Sequence, residues 1–199
     1  MRRRTARAWK IAMLTVLCTI CMIATASAAK VSKVTCDVKY NNSYQYAVIR
    51  GKTSGGKTVW TYKSAKYTAT ELAAVAMKTK GSYVYVLEGR KYVRLGKQSG
   101  RVLVKKNVLP SGYGWGSPAM VVSSTGNLYA MGYYDDTVYR ISKNGTVDWK
   151  RSIKDPYYWP YKMKLSSGTL TIYFDPPYGK CSVTLSASTG KIKKYTKGS

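Results

Sequence analysis

The residues of this 199-residue chain that could do chemistry are few, and their types exclude most catalysis. There is no histidine, and eight acidic residues face 34 lysines and arginines. Serine–histidine triads and imidazole metal sites are therefore excluded. Asp135-Asp136 is the one adjacent acidic pair, and such a pair could hold calcium or exchange protons. It lies in a segment that reads as a hairpin turn, where aspartate is favoured for its backbone behaviour alone. Cys18 and Cys21 sit in an apolar leader, which leaves Cys36 and Cys181. Two cysteines in an exported domain predict one disulfide, closing a loop of about 145 residues and stabilising by up to ~5 kcal/mol. No CxxC lies outside the leader, so a redox or metal role is disfavoured. We expect no catalytic residue, no metal site and no cofactor.

Aromatic residues offer a different chemistry. Tyr113-Gly114-Trp115 and Tyr157-Tyr158-Trp159 fall in matching connections, and Tyr133 and Tyr134 adjoin the Asp135-Asp136 turn. Rings presented together could stack on sugars while Arg90, Lys91 and Lys154 engage acidic groups. The candidate ligand-binding residues are therefore Tyr113, Trp115, Tyr133, Tyr134, Tyr157, Tyr158 and Trp159. The competing reading is that these rings fill space between structural units, which Pro156 and Pro160 favour by marking a tight crossing.

A recurring turn says which elements must position these groups. Gly56, Gly100, Gly145 and Gly190 are spaced 44, 45 and 45 residues apart, each followed by a short β-prone run. A period of this length marks a duplicated supersecondary unit. In the second copy, runs at 74–77, 82–87, 91–95 and 101–104 are broken by turn residues, the pattern of an antiparallel meander. Runs at 119–122, 127–133, 137–141 and 146–149, and at 161–165, 169–174, 180–185 and 191–195, repeat it. Glu71 to Met77 would pass for a short helix in isolation, but its place in the repeat predicts a strand. The first copy supplies three runs, 34–40, 44–50 and 58–62, and no innermost one. A lone meander cannot bury both faces; radial stacking can. The predicted fold is all-β, a small β-propeller of about four four-stranded antiparallel blades with the first incomplete. The repeats span about 31–67, 68–113, 114–158 and 159–199. A Cys36–Cys181 bridge would join first to last and close the ring; an open or oligomer-completed array is the alternative.

Residues 1–28 read as a secretory signal. Arg2, Arg3, Arg4, Arg7 and Lys10 precede an apolar run from Ile11 to Ile23, and Ala26-Ser27-Ala28 supplies a cleavage pattern. An uncleaved anchor is the alternative; a lipid anchor is not expected, because Leu17 and Ile20 precede the cysteines. Cleavage leaves a single domain at 29–199 with no membrane span and a secreted or cell-surface location. The leader holds five of the 34 basic residues and none of the eight acids, so the remainder carries 29 against 8, about +21. Such a surface attracts polyanions. For an exported chain these are envelope polymers, acidic glycans or acidic proteins ahead of nucleic acid.

Gly126-Asn127-Leu128-Tyr129-Ala130, Val138-Tyr139-Arg140-Ile141 and Asn144-Gly145-Thr146-Val147-Asp148-Trp149 together resemble the repeat of pyrroloquinoline-quinone-type β-propellers. The resemblance covers about residues 44 to 195. Trp60 and Trp149 keep the family's docking tryptophan, whereas Val104 and Lys194 replace it. That family includes quinone-dependent dehydrogenases, non-enzymatic outer-membrane assembly scaffolds and sensor domains. The resemblance implies that an enzyme of this kind would hold its cofactor through calcium, acidic residues and often adjacent cysteines, which the chain after residue 28 lacks. The expectation is a non-enzymatic member: a basic binding or scaffold module for an anionic polymer or partner protein. A lectin-like propeller using the loop aromatics is the alternative, and a quinone-dependent dehydrogenase a more distant one.

Overall fold

The computed structural model describes residues 29–41, 43–68, 75–110, 115–116, 118–132, 136–153, 159–175 and 181–196. The leader at 1–28 and Glu71 lie outside them. Four antiparallel sheets follow one another along the chain. The first contains β1 (Lys33–Asn41), β2 (Tyr44–Lys52), β3 (Thr58–Lys63) and the two-residue β4 (Tyr67–Thr68). The second contains β5 (Ala76–Lys80), β6 (Tyr83–Glu88), β7 (Lys91–Gly96) and β8 (Val102–Asn107). The third contains β9 (Ala119–Val122), β10 (Leu128–Met131), β11 (Thr137–Ile141) and β12 (Val147–Ser152). The fourth contains β13 (Trp159–Ser166), β14 (Thr169–Asp175), β15 (Cys181–Ser186) and β16 (Ile192–Thr196). The strands fall where the repeat predicts them; β4, which pairs with β2, is the addition. No helix among the described residues is long and apolar enough to cross a membrane.

Sheets two, three and four are simple meanders, ordered β5-β6-β7-β8, β9-β10-β11-β12 and β13-β14-β15-β16. In each, the last two strands carry a bulge beside the repeat glycine, at Arg94/Leu95, Arg140/Ile141 and Thr184/Leu185. The same bulge at Gly51/Lys52 aligns β2 and β3 with the last two strands of the other sheets. Bulges add local twist, and their repetition gives each sheet the same coil. By this alignment β1 corresponds to β6, β10 and β14. Among the described residues no strand of the first sheet occupies the innermost position held elsewhere by β5, β9 and β13.

Buried apolar side chains form three layers between successive sheets. Ile49, Trp60, Val84, Val86, Val93 and Leu95 fill the layer between sheets one and two. Tyr85, Leu87, Tyr92, Leu128, Ala130 and Tyr139 fill the next, and Tyr129, Met131, Leu170, Ile172 and Phe174 the last. Period-two alternation explains the assignment: Leu128 and Ala130 turn one way from β10 while Tyr129 and Met131 turn the other. Among the described residues no such layer joins the fourth sheet to the first.

The expected Cys36–Cys181 disulfide is corrected here, since no disulfide joins them. Cys36 packs against the layer between sheets one and two, and Cys181 against the layer between sheets three and four. The two cysteines thus pack against different layers. Burial, and secondarily the neighbouring Asp37, push the Cys36 thiol above its usual pKa.

Candidate functional site: the uncovered sheet faces

Among the described residues, the first and last sheets each keep one face that no other sheet covers. In β14, Leu170, Ile172 and Phe174 enter the core, so alternation turns Thr169, Thr171 and Tyr173 outward. Register then assembles the rest of that face. Lys162 and Ser182 lie opposite Tyr173, Lys164 and Thr184 opposite Thr171, Ser166 and Ser186 opposite Thr169, and Lys194 opposite Thr184. Lys193 Nζ donates to Thr169 Oγ1 at 3.0 Å. Lys162 Nζ stands 5.6 Å from the Tyr173 ring centroid, and Tyr161 lies 6.4 Å from the same ring. None of these residues is acidic. The result is a flat field of lysines and hydroxyls with a tyrosine pair at one end.

The outward face of the first sheet is similar. Its rows are Lys33 and Lys52; Thr35, Arg50 and Thr61; Asp37, Val48 and Lys63; Lys39 and Tyr46. Asp37 is neutralised by Arg50, whose guanidinium donates to its carboxylate. Lys66 Nζ donates to Tyr44 Oη at 3.1 Å and lies 4.3 Å from that ring's centroid. This hydrogen bond and the ammonium charge hold the Tyr44 phenol below its usual pKa.

Elsewhere the described carboxylates with resolved partners are engaged by protein donors. Glu88 is fully buried, accepts from Tyr62 Oη at 3.0 Å on both oxygens and pairs with Lys105 Nζ at 3.0 Å. Burial and the adjacent Glu88 charge push the Tyr62 phenol far above its usual pKa. Asp136 accepts from Ser152 Oγ at 2.6 Å and Thr137 Oγ1 at 2.8 Å, which lowers its pKa. Asp148 pairs with Arg140 at 3.2 Å. Among the described residues no three His, Cys, Asp or Glu side chains gather. Among the described residues, the carboxylates that a calcium-held quinone would need are engaged by tyrosine, lysine, arginine, serine and threonine.

The loop aromatics separate. Trp115 is fully buried, 5.5 Å from Tyr139 in an edge contact, and its backbone N–H donates to Gly89 O at 2.9 Å. It fills the layer between sheets two and three and has no face to offer a ligand, which corrects its candidacy. Trp159 opens β13 and is 44% exposed. Tyr113, Tyr133, Tyr134, Asp135, Lys154, Tyr157 and Tyr158 lie outside the described residues. The outward lysine field was missed, although a signal existed. Thr169 to Phe174 alternates polar and apolar, where Leu128 to Met131 is apolar throughout.

No family model matches the chain, and no curated protein does. Solved structures do. BamB from Moraxella catarrhalis gives a TM-score of 0.53 at 14% identity, over 84% of this chain and 51% of that one. Virginiamycin B lyase from Staphylococcus aureus gives 0.53 at 15% identity, over 83% and 59%. The AfRom2 CNH domain gives 0.51 at 13% identity, over 83% and 51%. The fold is that of a β-propeller. At such identities the likeness extends to fold alone. The chain spans 51 to 59% of the length of these propellers, and its four sheets, stacked with three layers, form a propeller segment with two uncovered ends.

Proposed function

We propose that the chain is an exported, non-catalytic binding module that docks an anionic envelope polymer, or an acidic partner protein, on its uncovered sheet faces. The observation that carries this reading is the outward face of the fourth sheet, where Lys162, Lys164, Lys193 and Lys194 meet the hydroxyl side chains of Thr169, Thr171, Ser182 and Thr184. The formal charge, about +21 without the leader, supplies long-range attraction. Asp37, Glu88 and Asp148 are each paired with a cation of their own, Arg50, Lys105 and Arg140, none of them an end-face lysine. The test is retention of the protein on an immobilised carboxylated or sulfated glycan. Binding should fall steeply as salt rises from about 50 to 500 mM, where the Debye length shrinks below 5 Å. The Lys162→Glu/Lys164→Glu variant should bind about tenfold more weakly. Indifference to salt would remove the electrostatic account.

A second reading has its own observation. Tyr161, 54% exposed, lies 6.4 Å from Tyr173, and Trp159, 44% exposed, opens the same strand β13, giving rings able to stack on a sugar. Trp159→Ala should then abolish binding of neutral oligosaccharides while the fold survives. If neutral sugars leave the tryptophan fluorescence unchanged, stacking is not the mode.

A further inference from the structure

The first sheet has a strand-sized gap. Its inner edge is β1, nine residues long, and among the described residues β1 pairs only with β2. In the other sheets the corresponding strands β6, β10 and β14 each pair with an inner strand, of five, four and eight residues respectively. The gap shows in burial on both sides. Tyr85 and Leu87 of β6, and Tyr129 and Met131 of β10, are at most 4% exposed. Val34, Cys36 and Val38, the matching row of β1, are only half-buried, and Tyr40 at its end is 79% exposed. Across the layer, Val75 and Met77 are half-buried, whereas Met120 on β9 and Met163 on β13 are 6% and 8% exposed. An open strand edge therefore runs beside an apolar strip contributed by β1 and β5.

The structure assigns this edge as a strand-addition site for an extended segment of a second polypeptide. An added strand would satisfy the backbone groups of β1 that β2 does not reach, which is how sheet edges capture peptides. Its side chains must alternate. One row would cover Val75, Met77 and Cys36; the other would join the outward face beside Lys33 and Lys39, where acidic residues are favoured. The sequence elsewhere in the chain does not carry this pattern. In sequence, the run from Ile11 to Ile23 lacks polar alternation, and Ala69 to Ala74 carries one acidic residue and no alternating apolar row. A second copy pairing β1 to β1 would set Lys33 and Lys39 near their equivalents in a dimer of two strongly cationic chains, so the occupant is an alternating apolar–acidic partner strand.

The probe is a labelled seven-residue peptide of alternating valine and glutamate, titrated into the full chain by fluorescence anisotropy and followed by amide hydrogen exchange. Binding should slow exchange of β1 amides at least about tenfold. It should weaken at least about tenfold in Met77→Glu and stay unchanged in Lys150→Glu, on the outer strand β12 of the third sheet. A peptide with proline at its centre, which cannot complete the ladder, should lose binding even if Met77→Glu fails to fold. Absence of binding up to about 1 mM peptide would overturn the assignment. So would equal binding of a blocked Val-Val-Val-Val-Glu-Glu-Glu peptide, or binding with β1 exchange unchanged. Sedimentation as a dimer with β1 already protected would make a second copy the occupant and overturn it too.

Discussion

Trp60 of the first sheet lies against Gly100 of the second, so that a Cβ on Gly100 would stand 2.5 Å from Trp60 Cδ2. The indole N–H donates to Lys97 O at 2.9 Å. Trp149 repeats the arrangement one pair of sheets later, against Gly190 and donating to Ala187 O at 3.3 Å. Between them, where Val104 replaces tryptophan, Tyr92 takes over: it approaches Gly145 and donates to Lys143 O at 3.2 Å. At the ends the device stops. A Cβ on Gly56 would meet nothing within 4 Å, and Lys194 stands where a tryptophan would dock onto a further sheet.

These glycines should differ in cost when replaced by alanine. Gly56 and Gly100 both have positive φ, 84° and 65°, so each alanine bears about 1–2 kcal/mol of backbone strain. Only Gly100→Ala also drives a methyl into a packed indole, adding about 1–3 kcal/mol. Urea unfolding should rank Gly100→Ala well below Gly56→Ala in stability; equal losses would deny that Trp60 is docked.

Alkaline pH should weaken the fold through buried phenols. Burial raises the pKa of Tyr92 and Tyr62 in the folded state. Above the unfolded tyrosine value near ~10, the unfolded chain releases protons that the folded one retains, so stability is full below that pH and falls as pH rises. The slope is about 1.4 kcal/mol per pH unit for each such tyrosine. Tyr92→Phe should cost about 1 kcal/mol at neutral pH through the lost hydrogen bond, yet flatten the decline between about pH 10 and 11. An unchanged slope would contradict a buried, neutral Tyr92.

Removing the cation from the Glu88 pair should be costlier than removing its charge partner's need for one. Lys105→Met leaves a fully buried carboxylate supported by Tyr62 alone. It should destabilise by about 2 kcal/mol, short of the 3–5 typical of fully buried pairs because Lys105 is 37% exposed. The Lys105→Met/Glu88→Gln double variant should recover part of the loss in thermal unfolding.

Reducing agent should leave stability unchanged, because Cys36 and Cys181 occupy different layers. Thiol titration of the unfolded chain should find both reactive, and mass spectrometry should find no Cys36–Cys181 cross-link. A reductant-dependent fall in melting temperature would place them together.

Much of the fold was legible because the turn chemistry repeats. Glycines at a fixed interval, each needing positive φ, delimit the last hairpin of every sheet, and alternation between them marks the strands. That the first sheet shows no inner strand among its described residues could be read too, since the first copy supplies three β-prone runs where the others supply four. The cysteine pairing could not, since a cysteine's layer depends on which row of its strand faces which sheet. Tyr92 was invisible as a docking residue because it enters from a neighbouring strand, not from the repeat position. Trp115 carries the composition of a ligand-stacking loop and the location of a core plug; only its burial separates the two.

The central claim is that anions dock on the uncovered sheet faces. It is tested most directly by lysine footprinting with an amine-reactive reagent, with and without a carboxylated glycan. The account predicts protection concentrated at Lys162, Lys164, Lys193 and Lys194, with a second set at Lys33, Lys39 and Lys63. Protection spread evenly over the lysines, or confined to the edge strand at Lys105 and Lys106, would contradict it.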